Sequence, residues 1–353
     1  LYRSRYKKTY DELNFQGGSP SFFILYKKHL NIYSFACIII KKRRGRMENL
    51  LTIKDLEVEE IKELFALTTE LKYKKNNGIE HKHLAGQSLG LIFAKSSTRT
   101  RVSFEAGIYQ LGGQGIFLSS NDIQLGRGET IADTAKALSR YLDGIMIRTF
   151  AQSDVEELAA NASIPVINGL TDLYHPCQAL ADLFTIQEKK GNLEELKLAY
   201  IGDGNNMAHS LLLAAAQVGM DISVASPNDY EPDSEVVATA EKLASQSGAE
   251  VEIVKNPQIA AQDADVVYTD VWASMGDEDE AEERKKVFKD YQVNQKLMSV
   301  AAETPIFLHC LPAHRGEEVT ADVIDGDNSV VFDQAENRLH LQKAVMVKLM
   351  SDN

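Results

Sequence analysis

Between residues 53 and 75 apolar side chains recur at three- and four-residue intervals, which predicts an amphipathic helix that Asn76, Asn77 and Gly78 end. The period then changes. Residues 89–94 (LGLIFA) form a short apolar run that reads as a buried strand, followed by a turn rich in Ser, Thr and Arg and a helical stretch over 102–111. The alternation repeats with strands at 113–119, 143–149 and 164–169 and helices at 130–142, 153–162 and 175–191. A second series starts at Lys197, with strands at 197–201, 221–227, 250–255, 265–271 and 305–311 and helices through 211–218 and 234–248. Strands that alternate with helices of this length imply parallel βαβ units. The expected fold is α/β: two doubly wound parallel-sheet α/β domains, 47–190 and 191–337, joined near 189–196. Residues 338–353 are expected to form a C-terminal helix that packs back on the first domain.

Composition narrows the function classes. With 353 residues, 44% hydrophobic and 25% charged, the chain buries one large core or two ordinary ones, which excludes disorder and a disulfide miniature. Three cysteines, Cys37, Cys177 and Cys310, form neither a disulfide framework nor a CxxC knuckle and point to a reducing compartment. The net charge of −13 is uneven, because residues 1–46 hold 11 of the 38 Lys and Arg but only Asp11 and Glu12 of the 51 acids. A body this acidic is poorly suited to nucleic acid or anionic lipid, so any anionic substrate needs a local site. No apolar run near the start approaches the roughly 20 residues of a membrane helix. Residues 1–46 end in a basic run before Met47, which reads as a natural first residue. Three readings of this leader stand open: an extension, an organelle-targeting segment, or a basic arm. The expected location is cytoplasmic, or an organelle matrix if the leader is a targeting segment.

Candidate chemistry collects where strands end and helices begin. Ser96–Ser97–Thr98–Arg99–Thr100–Arg101 lies at such a junction, where free N–H groups and the helix dipole favour an anion and guanidinium groups match phosphate geometry. It lacks the Walker pattern, which argues against a nucleoside triphosphate. Arg148 ends a strand, and His175 and Gln178 open a helix, so all three can meet one carbonyl or amide. Cys177 reads as a small apolar filler. In the second series Gly202–Asp203–Gly204–Asn205–Asn206 lacks the full dinucleotide fingerprint, and its asparagines suit the polar ends of an amino acid. Asp270, followed by Ser274–Met275–Gly276, supplies a carboxylate for an ammonium. At His309–Cys310–Leu311–Pro312 the Leu–Pro bond is open to a cis form, and Cys310 either accepts a proton from an amine or packs the strand end. One Cys and one His fall short of a structural zinc site, so neither a metal nor a cofactor is expected.

These motifs, in this order, resemble the aspartate/ornithine carbamoyltransferase family over nearly all of residues 47–353. "SSTRTR" is similar to its carbamoyl phosphate loop, "HPCQALAD" to its carbonyl-polarising helix start, "DVWASMG" to its ornithine loop and "HCLPAHRG" to its amine-side strand end. The resemblance implies that Ser97, Thr98, Arg99, Thr100, Gln124, Arg148, His175 and Gln178 bind carbamoyl phosphate. It assigns Asn206, Asp270, Ser274, Met275, Cys310, Leu311 and Arg338 to ornithine, and catalysis to Arg99, Arg148, His175 and Cys310. It further implies a homotrimer, or a multiple of trimers, making citrulline in arginine metabolism. Three alternatives remain open: transfer to putrescine, a non-catalytic binding protein on this fold, and a thiol hydrolase using Cys310 and His309.

Overall fold

The computed structural model describes residues 47–120, 128–273 and 280–351. The leader, Gln124, Ser274 and Met275 lie outside the described residues. The first half runs α1 (Val58–Asn76), β1 (Ser88–Phe93), α2 (Thr98–Gln110), β2 (Gln114–Ser119), α3 (Ile131–Leu138), β3 (Gly144–Arg148), α4 (Gln152–Asn161), β4 (Val166–Leu170) and α5 (Pro176–Lys190). Its four strands are all parallel in the order β2-β1-β3-β4, with Leu91 opposite Phe117 on one side and Met146 on the other. The second half runs β5 (Lys197–Ile201), α6 (Asn206–Val218), β6 (Asp221–Ala225), α7 (Ser234–Ser247), β7 (Val251–Val254), α8 (Pro257–Ala261), β8 (Val266–Thr269), α9 (Ala281–Val287), α10 (Gln295–Met298), β9 (Ile306–His309), α11 (Ala321–Ile324) and α12 (Val331–Met350). Its five parallel strands follow the order β7-β6-β5-β8-β9.

Both orders reverse once, between β1 and β3 and between β5 and β8. In open parallel sheets ligands bind outside the carboxyl ends of the strands at such reversals, and the singled-out motifs lie at the ends of β1, β3, β4, β5, β8 and β9.

Local chemistry explains the boundaries. Glu57 and Glu60 close a capping box at the start of α1. Ser97 caps α2 by accepting from the Thr100 N–H at 3.2 Å, and Asn205 caps α6 through the Met207 and Ala208 N–H groups. Pro176 opens α5 and Gly191, at φ 83°, ends it. The side chains of α5 from Pro176 to Ile186 are all buried, because this helix is covered by its own sheet, by α6 and by α12. As the sequence implies, the C-terminal helix returns to the first half, packing on α1, α2 and α5. It begins at Val331, before the apolar period is evident, because its first two turns carry polar residues buried within the protein, Gln334 and Asn337.

Gly204 shows how tightly the second half's switch-point loop is folded: a Cβ there would lie 2.2 Å from Pro232 N and 2.3 Å from the Glu231 carbonyl carbon. Backbone cannot yield as a side chain can, so Gly204→Ala is expected to destabilise the protein by about 1–3 kcal/mol. The measurement is the urea midpoint, and an unchanged midpoint would remove this account.

Candidate active site

Three strand ends of the first half, those of β1, β3 and β4, build one side of the site. Thr100 is buried on the first turn of α2 and its Oγ1 accepts from Arg338 Nη2 at 2.9 Å. Arg99 leaves the same turn and donates through Nη2 to the Leu311 carbonyl at 2.5 Å, across from the second half. Arg148 ends β3, 7% exposed, and His175 enters α5 with its backbone N–H on Ser210 Oγ at 2.8 Å. Arg101 turns away: it stacks at 3.7 Å on the Phe117 ring and pairs with Glu105 at the surface. Thr98 is exposed on the first turn of α2.

The electrostatics of this side are lopsided. Burial, with Arg338 and Arg99 nearby, lowers the Arg148 pKa to about 10. Burial and the same three guanidinium groups hold His175 well below its ordinary value, so its ring is neutral at physiological pH. The pKa of Arg338 is lowered too, first by burial. Arg99 Nε, Arg148 Nε, Arg338 Nε, His175 Nδ1 and Gln178 Oε1 are buried without a hydrogen-bond partner. Buried polar atoms normally have partners, and clustered cations normally have a counter-charge. Five such atoms in one cluster define a place for an anion that also carries polar groups.

The second half supplies the other side. Asp270, 6% exposed at the end of β8, accepts from Val271 N at 2.8 Å, from Asn205 Nδ2 at 3.2 Å and from Cys310 Sγ at 2.9 Å. Burial and the adjoining carboxylate push the Cys310 thiol well above its ordinary pKa. It therefore keeps its proton and donates it in a hydrogen bond to Asp270 Oδ1. Asn206 donates to the Thr171 carbonyl of the first half at 2.6 Å. The Leu311–Pro312 bond is cis, and Leu311 has φ 59°.

Donor atoms of Asp270, His309 and Cys310 lie within 4.8 Å of one another. They do not fit a metal, because both His309 nitrogens are committed: Leu311 N–H donates to Nδ1 at 2.9 Å and Nε2 faces Glu318 Oε1 at 3.2 Å. Cys177 is an interior filler, its pKa raised by burial to about 12. Among the described residues the site thus brings together Ser97, Arg99, Thr100, Arg148, His175, Gln178 and Arg338 on one side and Asn206, Asp270, Cys310 and Leu311 on the other. Reading the sequence alone missed the bridging role of Asn205, although Asn at a strand-to-helix junction signals it. It also missed Asp182, a lone acid four residues after Gln178 in an apolar helix.

Two parallel-sheet halves set a cluster of cations against a carboxylate–thiol pair in a two-domain α/β protein. Residues 48–188 match the carbamoyl-P binding domain, and residues 194–349 the Asp/Orn binding domain, of aspartate/ornithine carbamoyltransferase. The chain belongs to the aspartate/ornithine carbamoyltransferase family. It is 63% identical over 309 residues to the ornithine carbamoyltransferase of Oceanobacillus iheyensis, covering 88% of this chain and 95% of that one. It is 57% identical over 302 residues to that of Thermococcus kodakarensis, covering 86% and 96%. The structure of ornithine carbamoyltransferase from Pyrococcus furiosus superposes with a TM-score of 0.85 at 53% identity, covering 88% of this chain and all of that one.

Proposed function

We propose that this protein transfers the carbamoyl group of carbamoyl phosphate to the δ-amine of L-ornithine, releasing L-citrulline and phosphate. The observation that carries the reading is the cationic cluster of Arg99, Arg148 and Arg338, each with a buried Nε that has no partner, facing Asp270 and Cys310. In this reading Ser97, Thr98, Arg99 and Thr100 hold the phosphate at the start of α2, with Gln124 assigned to the same substrate. Arg148 and neutral His175 donate to the carbamoyl oxygen, and Gln178 takes the amide. Asp270 binds the α-ammonium, Asn206, Ser274, Met275, Leu311 and Arg338 contact other parts of ornithine, and Cys310 lies beside the amine. The neutral δ-nitrogen attacks the carbamoyl carbon, the carbon–oxygen bond to phosphate breaks, and the proton shed by nitrogen leaves on the phosphate. Fixed guanidinium groups stabilise the charge that grows on the tetrahedral oxygen and the leaving phosphate, and holding both substrates at the strand ends supplies the approach geometry.

The thiol hydrolase reading loses support because Cys310 keeps its proton and His309 has no free nitrogen to act as its base. Putrescine keeps an ammonium at the far end but lacks the α-carboxylate of ornithine, so discrimination between the two falls to the groups that meet that carboxylate and not to Asp270. A homotrimer is supported by edge strand β2, whose Ile116 and Phe117 are exposed, and by the exposed Val102 and Tyr109 on adjoining α2. A cytoplasmic role in arginine biosynthesis completes the reading. No helix among the described residues is long and apolar enough to cross a membrane.

The test is ureido-product formation, with citrulline expected from ornithine and no N-carbamoyl product expected from putrescine or aspartate. An amine with an ordinary pKa near 10.4 gains about tenfold in its neutral form per pH unit below that value. Because His175 is already neutral it adds no opposing step, so kcat/KM for ornithine should rise between about pH 6 and 9 with a slope near one. A flat profile would sink the neutral-amine step.

A further inference from the structure

A buried hydrogen-bond chain runs from the amine-side strand end to the carbamoyl side, and its polarity is fixed at one end. The backbone N–H of His309, which can only donate, lies 3.0 Å from Gln334 Oε1. The amide of Gln334 must therefore present its nitrogen in the other direction, where Nε2 reaches Asp182 Oδ1 at 2.7 Å and Tyr268 OH at 3.2 Å. Tyr268 in turn donates to Asp182 Oδ2 at 3.0 Å. Oδ1, already accepting from Gln334, also takes Gln178 Nε2 at 2.7 Å. An amide oxygen turned toward this atom would set two acceptors against each other. Gln178 thus has a single satisfied orientation, with its Oε1 toward the site, buried and without a partner. Gln178, Asp182, Tyr268, His309 and Gln334 are all at most 1% exposed, so water does not relax the requirement.

We infer that Asp182 is a positioning residue that sets substrate specificity: by fixing the Gln178 amide with its oxygen toward the site, it makes the site demand a hydrogen-bond donor on the transferred acyl group. The NH2 of a carbamoyl group satisfies Oε1, whereas the methyl of an acetyl group of the same shape leaves it buried and unpaired. Sites built to bond an N–H reject the analogue lacking it far more strongly than apolar pockets separate substrates by size. Protonation of Asp182, whose pKa burial raises to about 7, does not change this logic, since an acid proton on Oδ2 leaves Oδ1 accepting from both amides.

The inference rests on the carbamoyl-transfer reading, and its test separates the two. Phosphonoacetamide and acetonylphosphonate, unreactive ligands that differ only as NH2 against CH3, are titrated by calorimetry into the full protein, with inorganic phosphate as control. Wild type is expected to prefer the amide by about 100-fold or more. Asp182→Leu, which removes both acceptors, should narrow that preference by at least about tenfold and leave phosphate binding within about threefold. Asp182→Asn, which keeps an acceptor toward both glutamines, should restore the preference. Equal binding of the two phosphonates by wild type overturns the inference whether or not Asp182→Leu folds. So does an Asp182→Asn variant that folds but discriminates no better than Asp182→Leu, since charge rather than acceptor placement would then be the cause. Citrulline formation by wild type alongside equal phosphonate binding would discard only this inference. Absence of citrulline and of any phosphonate binding would discard the underlying reading.

Discussion

Arg99→Ala is expected to lower kcat/KM for carbamoyl phosphate by about 10³-fold, the scale of a charged donor lost from a preorganised site. The same substitution should weaken ornithine use, which a residue confined to the anion would not do. In the free protein the Arg99 guanidinium spans the cleft and holds the Leu311 carbonyl, the backbone next to Cys310. Its loss therefore releases the amine-side strand end as well. Stability should move differently. Arg99 helps depress the pKa of Arg148, of Arg338 and of His175, a mark of like-charge crowding. Removing one of the crowded charges should leave the melting temperature of the free protein no lower than wild type. Phosphate, which neutralises the cluster and stabilises the wild type by mass action, should lose most of that effect in the variant. Scanning calorimetry with and without phosphate reads both. A large fall in melting temperature without ligand, or an undiminished phosphate shift, would show that Arg99 serves the fold rather than the anion.

The sequence pattern conveyed the two-series α/β architecture because β1, β3 and β5 are nearly fully buried, and such strands read as continuous apolar runs flanked by amphipathic helices. The pattern made the candidate anion-binding residues legible as a block for a related reason. Phosphate-type sites are assembled from contiguous residues at a strand-to-helix junction, so Ser97, Thr98, Arg99 and Thr100 appear as a block. Short elements escaped it: α8, α10 and α11 span only four or five residues, too few for a period to show. The chain from His309 through Gln334 and Asp182 to Gln178 was equally hidden. Asp182 and Gln334 are separated by 152 residues and Gln334 and His309 by 25, and only the step from Gln178 to Asp182 is local. Only tertiary packing joins them. Asp182 carried one local signal, an acid on a helix otherwise buried on every face, and a buried acid requires partners that the sequence does not name.

Asp270→Asn is expected to raise the KM for ornithine by about 10²–10³-fold while changing carbamoyl phosphate binding little. The magnitude follows from leaving an ammonium without its carboxylate in a buried site, about 3–5 kcal/mol. The carboxylate at present accepts on both oxygens, from Val271 N and Cys310 Sγ on Oδ1 and from Asn205 Nδ2 on Oδ2. An amide there must turn its NH2 toward one set of donors, so either Asn205 or the Val271–Cys310 pair loses its acceptor. The variant thus removes the charge and also unsettles the thiol. Because the Asp270 carboxylate is one of the causes raising the Cys310 pKa, the thiol should titrate at lower pH in Asp270→Asn than in wild type, with burial still holding it above its ordinary value. The pH dependence of Cys310 alkylation measures this, independently of turnover. An unchanged ornithine KM paired with a raised carbamoyl phosphate KM would reassign Asp270 to the wrong side of the cleft for the proposed reaction. An unchanged alkylation profile would mean that the 2.9 Å contact does not control the thiol's proton.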